Sequence, residues 1–213
     1  MKISTHATRL RRGLAVAAAA LLATVSLSAC NADELGAAAI VDGHTITTQQ
    51  LQTATQGYLA AVPDGDKSNA QLRILERMIL SRVIDQAAAK EDVRVGKGAV
   101  ARQRDQILES TNGRKGLIVA LSQQQNPVVL APSLIDQWVR DQLLYGRLVT
   151  KIVGPGDPNS QEAATQASAA LIAAGKSMDI TVNPRYGTWN PQRGVQPQIS
   201  GGLSRTAAQL DGK

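Results

Sequence analysis

Cys30 is the only cysteine among the 213 residues, and it offers the most distinctive chemistry in the sequence. A thiol can carry an acyl group, form a disulfide, bind a metal or act as a nucleophile. It ends the run Leu27-Ser28-Ala29-Cys30, which follows a basic head and an apolar stretch from Leu14 to Val25. This order of basic, apolar and small residues is typical of a secretory signal. It predicts export, with residues 1–29 removed.

The residues that end at Cys30 resemble the lipobox of bacterial lipoproteins. In that family the signal is cut before the cysteine, and the thiol carries a diacylglycerol with acyl chains such as palmitate. The resemblance implies cleavage between Ala29 and Cys30 and a mature chain anchored on the outer face of the cytoplasmic membrane. Two acyl chains hold a protein far better than one, at about 0.8 kcal/mol per buried methylene. The pair Arg11-Arg12 leaves export by the twin-arginine route open. The residues around the pair favour the Sec route instead.

The other reactive side chains do not form a catalytic or metal-binding pattern. His44 is the only histidine beyond the signal and stands beside Asp42-Gly43, as an ordinary turn residue would. No second histidine or free thiol remains to complete a metal site once Cys30 is acylated. The sequence also lacks a G-x-S-x-G run, a phosphate loop and a paired acid and base. We therefore expect no enzyme activity, no metal and no cofactor.

Three side chains could instead bind polypeptide. Met78, Trp138 and Tyr145 lie on predicted helices, and methionine and aromatic side chains suit adaptable apolar contacts. The same residues could equally belong to the hydrophobic core. Near the end of the domain, Tyr186 and Trp189 could likewise bind a peptide or partner, or pack the last strand against the helices.

The charge and composition of the mature chain narrow its class. The predicted signal holds four of the 23 basic residues and none of the 17 acidic ones, so the mature chain has a net charge of +2. It has no basic stripe and few aromatics, so we expect no binding to nucleic acid. The chain contains no phenylalanine, which predicts a core of aliphatic side chains and closely packed helices.

The periodicity predicts a mainly α fold. After a polar tether at 30–36, Ile40-Val41 and Thr45-Ile46 flank an Asp-Gly turn, and Thr47 with Gln50 forms a capping box. Capping signals at Ser68 with Gln71 and at Ser133 with Asp136 predict two longer helices. Further helices are predicted over 98–110, after Asn112-Gly113, and over 160–175, the last one capped by Gly175.

The chain ends are predicted to close the helical body. Residues 179–183 alternate like a strand, and they could pair with the first strand in a short two-stranded β ribbon. Such a ribbon is marginal without helices to cover it. The folded domain is predicted over 37–189, followed by a flexible Gly-, Pro- and Gln-rich tail over 190–213.

Several segments, in this order, resemble the N-terminal helical module of the SurA- and PrsA-type extracytoplasmic chaperones. The segments are Val41-Asp42-Gly43-His44-Thr45-Ile46-Thr47, the helix from Leu72 to Ala89, the helix from Leu134 to Leu148, and Asn183-Pro184-Arg185-Tyr186-Gly187 before Trp189. The last of these is similar to the C-terminal strand of actinobacterial lipoproteins with a SurA-like domain. The resemblance implies a helical module that binds unfolded or extended polypeptides without ATP.

The sequence departs from many members of that family. Only residues 153–182 separate the closing helix from the last strand, which is too short a segment for a parvulin prolyl isomerase domain. The first expectation is therefore a membrane-anchored chaperone without isomerase activity. Two alternatives stay open: a scaffold lipoprotein that docks one dedicated envelope partner, and a residual prolyl isomerase.

Overall fold

The computed structural model describes residues 36–197, which belong to a compact unit that begins at Gly36. The predictions for the signal, the Ala29–Cys30 cleavage site and the tether up to Leu35 lie outside the described residues, as does the predicted tail beyond residue 197. Within 36–197, no helix combines the length and apolar character needed to cross a bilayer.

The mainly α prediction is confirmed, since six helices make up most of the described chain. We number them α1 to α6, and α5 is preceded by a 3₁₀ turn over Pro132–Leu134. Their bounds are Thr48–Ala61 for α1, Lys67–Lys90 for α2, Lys97–Ser110 for α3, Gly113–Ser122 for α4, Ile135–Val153 for α5 and Gln161–Ser177 for α6.

Segments near the two ends of the described residues do meet in a sheet, but it has three strands rather than the two predicted. The strands β1 (Ala37–Val41), β2 (His44–Thr47) and β3 (Ile180–Val182) are antiparallel in the order β2-β1-β3. Asp42 and Gly43 take positive φ angles of 46° and 76° in the turn between β1 and β2, as the Asp-Gly pair predicts. Because this hairpin adds β2 beside β1, the strand from the C-terminal part pairs with the other edge of β1.

Asp42 also links the first hairpin to the last strand. Its backbone N–H donates to the carbonyl of Asp179 at 2.8 Å, and its Oδ1 accepts from the backbone N–H of Asp179 at 2.7 Å. At the other end of β1, Asn183 donates through Nδ2 to the carbonyl of Ala37. Both ends of β1 are thus held to a segment about 140 residues away in sequence.

The predicted tail begins too early, because residues 188–196 form a second hairpin. Strands β4 (Thr188–Asn190) and β5 (Gly194–Gln196) pair antiparallel, and β5 packs against α2. Val195 is only 2% exposed. Gly187 has a φ of 128°, and a Cβ there would lie 2.1 Å from the carbonyl oxygen of Gln196, so this position requires glycine. Burial of Val195 and packing of Trp189 against the core outweigh a local composition that is typical of a loop.

The helix starts are only partly as predicted. The capping box of α1 is confirmed: Thr47 Oγ1 accepts from the N–H of Gln50 at 3.1 Å, and the Thr47 N–H donates to Gln50 Oε1 at 2.9 Å. For α2 the prediction of Ser68 is wrong, because Asp66 Oδ1 accepts from the N–H groups of Ser68 and Asn69. An aspartate two residues earlier supplies the same acceptor and lets α2 begin at Lys67.

Two other helix-end signals also do not act as caps. Ser133 lies in the 3₁₀ turn before α5 and makes no side-chain capping hydrogen bond there. Gly175 lies inside α6, which continues to Ser177. A Cβ at Gly175 would meet its neighbours at an ordinary 3.7 Å, so neither packing nor a positive φ requires glycine at this position.

Helix α2 is the centre of the hydrophobic core. Ile74, Leu75 and Ile79 face the main cluster and are fully buried, together with Leu51 of α1 and Ile135 of α5. Farther along α2, Val83 and Ala87 pack with Leu148 of α5 and Ala174 of α6. The core is aliphatic, with small side chains where helices approach closely, as the lack of phenylalanine predicts.

Candidate functional site

A groove of about 460 Å³ lies between the first hairpin, α1, α2 and the start of α5. Three separate stretches of sequence build it: 45–53, 78–82 and 133–137. Its wall consists of the following residues: Thr45, Ile46, Gln49, Gln50, Thr53, Met78, Arg82, Ser133, Leu134 and Gln137. The Thr47 capping box sets the direction in which α1 leaves β2, so it places Gln49, Gln50 and Thr53 along one wall.

The apolar part of the groove is made by Ile46, Met78 and Leu134. Ile46 and Leu134 are each 8% exposed and belong to the main core, while Met78 is half-buried and packs against it. A flexible thioether above two fixed aliphatic side chains can adapt to ligand groups of different shape. This floor can therefore hold one apolar side chain without a closely matched pocket.

The remaining wall is polar and carries a single kind of charge. Gln49, Gln50 and Gln137 each have an amide that can both donate and accept hydrogen bonds. Arg82 is exposed and is the only charged residue among those that line the groove. The groove thus combines an apolar floor, amide groups and one positive charge.

The structure places the three predicted peptide-binding residues in three different environments. Only Met78 lines the groove. Trp138 is half-buried against the main core, one residue beyond the groove-lining Gln137, and Tyr145 packs between α5 and α6 beside Val149. Of the three candidates, Trp138 and Tyr145 thus pack against hydrophobic clusters, and only Met78 is among the groove-lining residues.

Sequence reasoning missed most of the groove. In the sequence, Arg82 is one of several cations on the polar side of α2, Gln50 is noticeable only as a partner in the Thr47 capping box, and Gln49 and Gln137 carry no signal. One signal was present, since Met78 and Arg82 are four residues apart and must share a helical face. The side chains from α1 and α5 join that face only through tertiary packing.

His44 is exposed beside the turn, as an ordinary turn residue would be. Within 36–197, no three side chains of the histidine, cysteine, aspartate or glutamate type are grouped so that they could hold a metal ion.

A buried acid lies at the contact between α2 and α5. Asp141 is only 5% exposed, and its Oδ1 accepts a hydrogen bond from Ser81 Oγ at 2.8 Å. Asp85 and Arg140 form an ion pair beside it, and Arg77 lies close enough for its charge to act on Asp141. In the sequence, Asp141 is a single acidic residue within the helix and gives no sign of burial. The fully buried side of α5 is formed by Ile135, Val139, Leu144 and Leu148, with Asp141 among them.

Burial raises the pKa of Asp141 from its usual 3.8 to about 6, and repulsion from Asp85 acts in the same direction. The Ser81 hydrogen bond and the charges of Arg140 and Arg77 oppose this rise. Burial also lowers the pKa of Arg77, against the attraction of Asp141 and Glu76. Asp141 therefore binds its proton more tightly in the folded chain than in the unfolded chain.

Comparison of the chain with protein-family models, with curated proteins and with solved structures found no match.

The raised pKa of Asp141 predicts a specific pH dependence of stability. Between about pH 4 and pH 6 the folded chain holds this proton and the unfolded chain does not, so the free energy of unfolding falls as pH rises. The loss amounts to about 3 kcal/mol at most, from ~1.4 kcal/mol per pKa unit, and levels off above pH 6. Asp141→Asn should lack this component, since the amide is neutral at every pH and its oxygen can still accept from Ser81.

Urea denaturation across pH 4 to 8 measures the effect on the chain from residue 31, which contains the whole unit that begins at Gly36. Glu109→Gln is the matched control, because Glu109 is exposed and outside the α2–α5 contact. The control should follow the parent chain. An Asp141→Asn variant that shows the parent's full pH dependence would contradict this description of Asp141.

Proposed function

We propose that this protein is a lipid-anchored chaperone on the outer face of the bacterial cytoplasmic membrane, which binds extended segments of unfolded polypeptides in the groove without ATP. The observation that carries the proposal is the groove itself, with its Met78 floor and amide-rich wall. Its volume of about 460 Å³ is that of a site for a few side chains. It suits weak and reversible binding of a short part of a longer chain.

The walls of the groove match the two kinds of groups that an extended polypeptide presents. Its apolar side chains can be buried against Ile46, Met78 and Leu134, which removes apolar surface from water. Its backbone N–H and C=O groups can pair with the amides of Gln49 and Gln137, and its C=O groups can accept from Nε2 of Gln50, whose Oε1 already accepts from Thr47. Because the backbone is common to all polypeptides, contacts of this kind favour breadth over strict sequence selectivity.

The edge of the sheet adds a short stretch of backbone to the same wall. Strand β2 is the outer strand of the order β2-β1-β3, and its exposed Thr45 lines the groove. An extended segment that lies in the groove can pair with the backbone of this residue, as in β-strand addition. The pairing can involve only a short stretch of backbone, because the N–H of Thr47 already donates to Gln50.

Anchoring at Cys30 would place the groove where exported chains leave the membrane. A tether of a few residues holds the binding unit at a high local concentration near those chains. Weak binding at each groove is then enough for repeated capture and release during folding. In this proposal the protein needs neither a nucleotide nor an isomerase site.

Filling the groove tests this function. Thr53 is exposed on α1 and lines the groove, so Thr53→Trp should occupy part of it while leaving the core intact. We expect the chain from residue 31 to suppress aggregation of heat-denatured citrate synthase and reduced insulin at equimolar ratios, and the variant to lose most of that suppression. Light scattering measures both.

Gln52→Trp is the matched control, because Gln52 is exposed on the same helix but outside the groove lining. It adds the same apolar ring and should keep full activity. Failure of the parent chain to suppress aggregation of either protein would overturn the chaperone proposal and favour a scaffold with one dedicated partner. An equal loss of aggregation suppression in both tryptophan variants would show that the suppression does not depend on the groove.

The anchor is tested separately at Cys30. In a bacterial host that processes lipoproteins, the full chain should incorporate labelled palmitate and remain with the membrane fraction. Cys30→Ser should abolish the label and leave the signal uncut at Ala29, whereas Ser28→Ala keeps small residues before Cys30 and should behave as the parent does. A palmitate label that persists in Cys30→Ser would refute lipidation at this residue.

A further inference from the structure

The charge of the groove is unbalanced. Arg82 is the only charged residue in its lining, and no carboxylate among residues 36–197 forms an ion pair with it. Arg82 is exposed and lines the groove together with Met78 and Gln137. An arginine that faces a binding groove without a counter-ion favours a negatively charged ligand group.

The acidic side chains nearest along α2 and in the facing helix are engaged elsewhere. Asp85, one turn after Arg82, pairs with Arg140, and Glu76 pairs with Arg73 at 2.9 Å. On α5, Asp136 beside the groove pairs with Arg104 at 3.0 Å, and Asp141 is buried and accepts from Ser81. Because these carboxylates have other partners, the charge of Arg82 is available to pair with an acidic group of a ligand in the groove.

The spacing of Met78 and Arg82 sets the geometry of such a ligand. Residues four apart on a helix have Cβ atoms about 5–6 Å apart. In an extended chain, residues i and i+2 point to the same side and lie roughly 6.6 Å apart. One apolar and one acidic residue at that spacing can therefore reach Met78 and Arg82 together, whereas adjacent residues point to opposite sides.

We propose that the groove selects extended polypeptide segments in which an apolar residue is followed or preceded two positions away by aspartate or glutamate, with the side-chain carboxylate paired to Arg82. This inference rests on the proposed function and gives it a ligand class. Because Arg82 is exposed, the ion pair adds a modest preference to apolar burial and leaves the binding broad.

Short labelled peptides with acetylated and amidated ends test the selectivity. They share Gly-Ser flanks and differ in a central Leu-Ser-Glu, Leu-Ser-Gln, Leu-Ser-Lys or Leu-Glu-Ser sequence. Fluorescence anisotropy with the chain from residue 31 should show Leu-Ser-Glu binding roughly threefold tighter than Leu-Ser-Gln in low salt, as for an exposed ion pair. Salt should reduce the difference, and Leu-Glu-Ser should bind like the neutral peptide.

Substitutions at Arg82 assign the preference to this residue. Arg82→Gln should remove it and Arg82→Glu should transfer it to Leu-Ser-Lys, while the exposed Arg102→Gln on α3 should leave it unchanged.

Equal binding of the glutamate and glutamine peptides by the parent chain would overturn the selectivity and leave the proposed function standing. Failure of every peptide to bind would overturn both. A neutral peptide with a free C-terminus that binds as tightly as capped Leu-Ser-Glu would reassign Arg82 to a terminal carboxylate.

Discussion

The structure depends on the packing of one central helix, α2, against three other helices and two strands. Its 24 residues contact α1, α5, α6, β1 and the C-terminal hairpin. A helix buried on several sides must satisfy each neighbour with a different face, and the three- and four-residue spacing of its side chains allows this. Ile74, Leu75 and Ile79 enter the main core, while Val83 and Ala87 meet α5 and α6. The sheet and the hairpin then complete the cover at the chain ends.

The two polar features of the domain lie on the remaining faces of α2. Met78 and Arg82 look into the groove, whereas Ser81 meets the buried Asp141 of α5. The free-energy cost of keeping each group charged differs accordingly. Arg82 stays in water and is held at little expense, while the ionised form of Asp141 loses solvation that one hydroxyl and two nearby guanidinium groups only partly replace. The groove is therefore a solvated, adaptable surface, and the α2–α5 contact is a fixed polar junction.

Local signals in the sequence were sufficient where the structure is local. The Asp42-Gly43 turn and the Thr47 capping box depend on residues within a few positions of each other, and both were predicted. For α2, the capping signal at Ser68 led to a wrong prediction, because Asp66, two residues earlier, is the cap. The hairpin over 188–196 was missed because its composition is that of a loop. Val195, buried where β5 packs on α2, and Trp189, packed against the core, make it part of the fold.

The groove could not be read from the sequence because no single segment contains it. Met78 was recognised as a candidate through its residue type. Arg82 could be recognised only in the structure, where packing places it in one groove with the glutamines and Leu134. Conversely, Trp138 and Tyr145 attracted attention as aromatic residues and turned out to pack against other helices. Residue type was a weaker guide to the site than shared position on a helical face.

Binding of an unfolded chain at the groove is tested most directly through the methionines. Met78 and Met178 are the only two beyond Met1, and Met178 is half-buried outside the groove. Methyl-labelled methionine gives each its own NMR signal in the chain from residue 31. Titration with reduced, carboxymethylated α-lactalbumin should shift the Met78 signal and leave the Met178 signal in place. A Met78 signal that stays fixed while the two proteins bind would contradict the account.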